Sequence, residues 1–192
     1  MSEEYIAEVI ESSTTEFTAQ TRELDGSPPF GAFVKVGTTL QSMAMIYQIA
    51  TGSADLNRRP IAYGKTEEEL RREQPQIFEL LRTEISAKIV GYWDEHGMKQ
   101  TLPPQPPRLH SFVYPCPLEE VQAFTAQFDY LRTLAGIGGT LSDELLIAAI
   151  QQTCRSRGTA AREWLIRSGK ELSRLLRDDY DRLESILRRI AL

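Results

Sequence analysis

EISAKIVGYW, residues 84–93, alternates with a period of two. Ile85, Ala87, Ile89, Gly91 and Trp93 fall on one face of an extended chain, and Ser86, Lys88, Val90 and Tyr92 on the other. The spacing therefore predicts a strand, and the fold is read outward from it.

Upstream, Thr66-Glu67-Glu68-Glu69 has the form of a capping box, in which hydroxyl and carboxylate satisfy the free amides of a helix start. That helix should pause at Gln74, because Pro75 disfavours helical geometry in the residue before it. Ile77, Phe78, Leu80 and Leu81 suggest a second apolar turn of helix. Residues 51–60, TGSADLNRRP, read as loop, and residues 39–50 as a long strand buried on much of both faces, with helix as the alternative. Residues 30–36 form a further strand with Phe33 and Lys35 on one side and Ala32, Val34 and Val36 on the other. Asp25-Gly26-Ser27-Pro28-Pro29 breaks the chain before it. Tyr5 to Ile10 and Glu16 to Glu23 are two short alternating runs around a polar turn. Downstream, residues 94–97 make a hairpin turn, Met98 to Leu102 the return strand, and Leu109 to Tyr114 a last strand after a proline-rich stretch.

From Pro117 the period lengthens to about 3.6. Val121, Phe124, Phe128, Leu131 and Ala135 mark one face of a helix expected to stop at Gly136 with a left-handed cap. Thr140-Leu141-Ser142-Asp143 resembles a capping signal for a second helix running to about Arg157. A third should run from near Thr159 to the chain end, with Leu165, Leu172, Leu176, Leu183, Leu187 and Ile190 on one side and Lys170, Arg174, Arg177 and Arg188 opposite. The expected fold is thus α+β: a closed antiparallel-type barrel of about six strands over residues 1–116, then a three-helix region over residues 117–192.

Composition narrows the function classes. The chain has 192 residues, 41% apolar and 26% charged, enough for a core without staples. Its two cysteines, Cys116 and Cys154, are too few for a disulfide framework. No charged-then-apolar leader precedes Tyr5, and no apolar run approaches the ~20 residues of a membrane span. A cytoplasmic protein with reduced thiols is the expectation. Net charge is −5, divided as −9 over residues 1–154 and +4 over residues 155–192. An acidic body argues against broad capture of nucleic acid, which rests on Lys and Arg neutralising phosphates.

PPFGAFVKV (28–36), NRRPIAYG (57–64), LRREQPQIFELLRTEISAKIVGYW (70–93), LPPQPP (102–107) and LHSFVYP (109–115) together resemble the HAS-barrel. That small β-barrel precedes the motor of HerA-type DNA-translocating ATPases and is related to the N-terminal barrel of ATP synthase catalytic subunits. The resemblance covers residues 5–115. It departs from the motors in lacking any G-x-x-x-x-G-K-[ST] phosphate loop, so ATP hydrolysis and translocation do not carry over. It implies a stand-alone barrel, such as those encoded in cyanobacteria, with helices appended and with assembly or adaptor work as its role.

No residue cluster outweighs a plain structural reading. His96 falls in a turn and His110 on a strand, neither with carboxylates or thiols at ligand spacing. Cys116 and Cys154 read as packing residues. Gly136-Ile137-Gly138-Gly139 follows a helix, the wrong context for a phosphate loop, and Pro103 to Pro107 reads as a stiff connection. The candidate partner-binding residues are Arg58 and Arg59 in the loop and Arg174, Arg177, Arg182, Arg188 and Arg189 on the terminal helix. These would face an acidic partner, nucleic acid or anionic lipid. Glu163 with Arg167, Asp178 with Arg182 and Glu184 with Arg188 stand four apart and would instead support the helix. The expected function is a non-enzymatic adaptor, with no cofactor or metal, binding a protein partner or a second copy through the barrel loops and C-terminal helices. The alternatives are a DNA-processing accessory to a separate HerA-type motor or nuclease and, last, an enzyme.

Overall fold

The computed structural model describes residues 4–55 and 59–190. Strands β1 (Ala7–Ser12), β2 (Glu16–Thr21), β3 (Phe33–Val36), β4 (Gln41–Ser53), β5 (Leu81–Asp94), β6 (Gly97–Lys99) and β7 (Phe112–Pro115) form one sheet. Six of them close in the circular order β1-β2-β5-β4-β3-β7, every neighbour antiparallel, and β6 is a short hairpin partner added to β5. The ring shuts where Ala7 meets Val113 and Glu8 meets Phe112, helped by the Ile6 amide donating to the Val113 carbonyl at 2.9 Å. Small and β-branched side chains fill it: Ala7, Val9, Ala19, Val34, Ala44, Ile85, Ala87 and Ile89 are fully buried, with Phe17 the one large ring among them. A six-stranded ring is narrow, which is why the inward positions are mostly Ala, Val and Ile.

The strand expected at residues 84–93 is present and longer, starting at Leu81. Its faces hold only as far as Ile89. The register shifts between Met43↔Gly91 and Ala44↔Ile89, so Val90 is an extra residue and the alternation flips beyond it. Val90 and Trp93 pack with the helices outside the barrel, and a side chain at Gly91 would point there too. β4 is buried on both faces from Ser42 to Ile46, as its composition suggests, and continues to Ser53 through residues expected to be loop. β2 ends at Thr21 and β6 at Lys99, each shorter than the sequence pattern.

Two short helices lie inside the β4–β5 connection: α1 (Glu67–Glu73) and α2 (Gln76–Glu79). Thr66 and Glu69 make the full capping box, and α1 ends at Gln74 before Pro75. Among the described residues the C-terminal part contains five α-helices where three were expected: α3 (Leu118–Phe124), α4 (Asp129–Ala135), α5 (Gly139–Ser156), α6 (Ala161–Leu175) and α7 (Tyr180–Ile190). Helix one breaks at residues 125–128 because tertiary donors take its carbonyls. Gln100 Nε2 donates to Phe124 O at 2.5 Å and Trp164 Nε1 to Thr125 O at 2.9 Å, while Gln100 Oε1 accepts from the Tyr130 amide at 3.0 Å. Gln100 thereby caps α4 from the barrel side.

Helix three breaks at Leu176 because Asp179 caps a new start, its carboxylate accepting from the Arg182 amide at 3.2 Å. Gly136 is right-handed, φ −73°, and the left-handed residues are Gly138 and Gly139 at 78° and 66°. α5 starts there, so Ser142 and Asp143 fall inside it and bond sideways to other elements.

The helices pack on the outer face of β3, β4 and β5. Phe33, Met43, Met45 and Val90 share one apolar cluster with Phe124, Tyr130, Leu134, Leu145, Ile150, Trp164 and Leu172. Phe124 lies 5.8 Å from Trp93, 5.6 Å from Tyr130 and 6.3 Å from Phe33, centroid to centroid. Lys35, on the same face as Phe33, reaches Glu120 of α3 at 2.7 Å. The stripe from Leu165 to Ile190 is covered within this layer: Leu172, Leu176, Leu183 and Ile190 are buried, and Leu165 and Leu187 partly so. Among the described residues no helix is long and apolar enough to cross a membrane.

Candidate protein interface

The arginines singled out from sequence separate into two kinds. Arg182 is half-buried: its Nε donates to Asp143 at 2.6 Å and its Nη2 to Ser142 Oγ at 2.8 Å, and Ser142 Oγ in turn donates to the Leu134 carbonyl at 2.7 Å. Arg189 donates to Glu144 at 2.6 Å. Both clamp α7 to α5. Arg174 and Arg177 are exposed beside Glu171 and Asp178, at 3.1 and 3.2 Å, and Arg188 is exposed. None of the three pairs expected four apart forms. Arg182 turns to Asp143, and Arg167 lies over the Phe128 ring at 5.3 Å. The basic strip is thereby cut at its centre.

Arg58 lies outside the described residues. Arg59 is exposed and makes no ion pair among them. It begins residues 59–65, RPIAYGK, an unstructured run in which Ile61 is 68% and Tyr63 41% exposed. Neither α1 nor α2 contains a buried residue. It holds itself together locally, through Arg71 on Glu67 at 2.8 Å, Arg71 over the Phe78 ring at 4.2 Å, and Lys65 with Glu73. Leu80, half exposed, closes it where its carbonyl accepts from the Ala54 amide at 2.7 Å. The segment thus stands on its own short-range contacts and shows apolar side chains to water. Ile61 and Tyr63 escaped notice in the sequence, although Pro60 and Gly64 bracket them within a polar stretch.

A groove of about 580 Å³ lies at one end of the barrel, between the Gly37–Leu40 turn and residues 105–112. Pro103 and Pro107 are buried, and Ser12 Oγ donates to the Pro107 carbonyl at 2.7 Å, so the proline-rich run is a rigid wall of that end. Arg108, His110 and Tyr114 line the groove, with no carboxylate or thiol. His110 adopts φ 65° and its Nδ1 lies 2.7 Å from Glu8, while His96 stays in an exposed turn beside Glu95 at 3.4 Å. The described residues contain no group of three metal-ligating side chains.

Three ionisable groups with shifted pKa lie among the helices. Arg157 donates to the Gln122 carbonyl at 2.8 Å and to Thr125 Oγ1 at 2.9 Å, and lies 5.3 Å from the Trp164 ring centroid. Burial lowers its pKa. Burial also pushes up the Cys154 thiol and the phenol of Tyr130, whose hydroxyl makes no well-formed hydrogen bond. Cys116 is half-buried and Cys154 is buried. None of these groups lines the groove, and Tyr130, Cys154 and Trp164 belong to the apolar core. Compared with known proteins, the chain matches no family model and no curated sequence.

Proposed function

We propose that the chain is a non-enzymatic adaptor of the HAS-barrel kind, a barrel with a helical layer, which binds a protein partner through the β4–β5 connection. The observation that carries this reading is the exposure of Ile61 and Tyr63 beside Arg59, in a segment whose two helices contain no buried residue. Interfaces draw their energy from a few aromatic, aliphatic and Arg anchors desolvated together, and this run supplies one of each within five residues. The barrel and helices serve as the rigid support, and Arg174 on α6 with Arg177 just beyond its end adds a second, weaker contact. The DNA-accessory reading loses ground because Arg182 and Arg189 are spent on clamps.

The test is affinity capture with the full chain as bait, in parallel with Ile61→Asp and Tyr63→Ala. The native chain should retain a partner in stoichiometric amount, and each variant should lose it while keeping its melting temperature. Capture that is indifferent to both changes would remove this surface from consideration.

A further inference from the structure

The groove at the end of the barrel is chemically one-sided. It lies between the Gly37–Leu40 turn and residues 105–112, at the opposite end of β4 from the β4–β5 connection. Both walls are fixed. Ser12 holds the Pro107 carbonyl, and at Gly37, φ 96°, a Cβ would stand 2.3 Å from the Leu40 carbonyl oxygen, so only glycine lets that turn close.

Phe112 ends a stack that begins outside the groove. The Arg22 guanidinium lies 5.4 Å from the Tyr5 ring centroid, and Tyr5 stacks on Phe112 at 4.3 Å with 24° between the planes. Tyr5 lines a separate hollow with Arg22, whereas Phe112 lines the groove and is 43% exposed. The ring is backed on one side and open on the other, a platform on which a flat ring can stack.

The polar lining is unspent. The Arg108 side chain is exposed and makes no hydrogen bond, ion pair or ring contact among the described residues, and the hydroxyls of Thr38, Thr39, Ser42, Ser111 and Tyr114 make no hydrogen bond there either. Ser42 is only 1% exposed, so its hydroxyl has little but the groove to turn to. Leaving such a group without a partner costs free energy that a bound ligand can recover. No carboxylate lines the groove, and Glu8 reaches its rim only through His110, at 2.7 Å. A bare guanidinium in a molecule of net charge −5 favours an anion at this one place.

We propose that the groove binds a nucleoside monophosphate, with its base on Phe112, its phosphate on Arg108 and its sugar hydroxyls among the threonines and serines. The three parts of the lining recognise a planar ring, a single anionic group and a hydroxyl-rich link between them. A volume of about 580 Å³ falls within the range of small-ligand sites. One arginine matches one phosphate, and a triphosphate would set further negative charge against a molecule already at −5. The site is independent of the proposed partner surface, since neither Ile61 nor Tyr63 lines it.

Titrated calorimetrically at low salt with adenosine, guanosine, cytidine and uridine monophosphates, the full chain should bind at least the purine forms, whose larger rings stack best, with a Kd of about 10 µM to 1 mM. Adenosine and ribose phosphate each lack one recognised part and should bind at least tenfold more weakly than adenosine monophosphate. Saturation-transfer NMR should place the strongest contact on the ring protons of the nucleotide. Arg108→Gln should weaken the monophosphate at least tenfold, about the worth of one charge-assisted pair, and leave adenosine unchanged. Phe112→Leu should bring the monophosphate down to the level of ribose phosphate. Arg108 is exposed, so its variant should keep the native Tm; if Phe112→Leu melts early, the ring-proton contact in the native chain reads the same platform. Heats no greater than dilution for all four monophosphates up to about 10 mM, well beyond the expected Kd, would overturn the proposal. Binding indifferent to Arg108→Gln, or inorganic phosphate or ribose phosphate held as tightly as the nucleotide, would do the same.

Discussion

Replacing Gly91 with alanine should destabilise the protein by about 2 to 3 kcal/mol, the upper part of the range for overpacking a core. An added Cβ would stand 2.5 Å from the Lys99 carbonyl oxygen and 2.6 and 2.9 Å from Phe124 Cε2 and Cζ. Neither neighbour can withdraw cheaply. Lys99 is held in β6 opposite Tyr92, and the Phe124 ring is fully buried among Phe33, Trp93 and Tyr130. Two obstructions from different directions place the cost above that of one displaced methylene. For a chain of this size the loss corresponds to a fall in Tm of about 5 to 10 °C.

Urea unfolding followed by far-ultraviolet circular dichroism gives the free energy. Phe124→Ala alone should cost about 3 to 5 kcal/mol by leaving a cavity. Combined with Gly91→Ala it should cost less than the sum by about 1 kcal/mol or more, because the ring that the new methyl strikes is gone. A Gly91→Ala protein within about 0.5 kcal/mol of native, the usual scatter of surface changes, would refute the reasoning, and so would strict additivity.

Arg182→Ala should cost about 1 to 3 kcal/mol, since it removes a half-buried charge-assisted pair and leaves Ser142 and Asp143 short of a donor; Arg174→Ala, measured by the same urea titration, should fall within about 0.5 kcal/mol of native. Stability should decline in alkali. The Cys154 thiol and the Tyr130 phenol are both raised by burial, so the folded state holds their protons more tightly. That contribution is complete below their ordinary values of 9.0 and 10.0 and is lost as pH climbs beyond them. Tyr130→Phe with Cys154→Ala should flatten the alkaline limb of a Tm-against-pH curve. Cys154 should resist iodoacetamide in the native state and react once the protein is unfolded in urea, as peptide mapping by mass spectrometry can show. A fluorescent DNA duplex at about 50 mM salt should show no saturable binding, since the basic strip is interrupted; steep salt-dependent binding would contradict that.

The barrel was legible because strand signals depend on nearest neighbours. Alternation from Glu84 to Ile89, the capping box at Thr66 and the stop at Pro75 are each written within a few residues. What escaped the sequence depends on distant groups. The flip after Val90 comes from pairing with Met43 and Ala44, and the break after Phe124 comes from Gln100 and Trp164, neither visible in a local window. The split before α7 was readable in principle, because Asp178-Asp179 in a run of apolar helix is a capping signal, but a continuous apolar stripe concealed it. For the candidate interface, Arg58 and Arg59 drew attention to the loop by composition. The choice among the five terminal arginines required the partners across α5.

The seam between β1 and β7 has a consequence for biogenesis. Glu8 and His110 touch across 102 positions of chain, so a ribosome making this protein releases the opening hairpin long before the strand that shuts the ring exists. Until about residue 115 has left the exit tunnel, Val9 and Phe17 lack their final enclosure, and the nascent chain must be shielded or must linger unfinished. Slowing translation before that point should therefore lengthen the interval in which the emerging polypeptide is vulnerable to protease and to clumping.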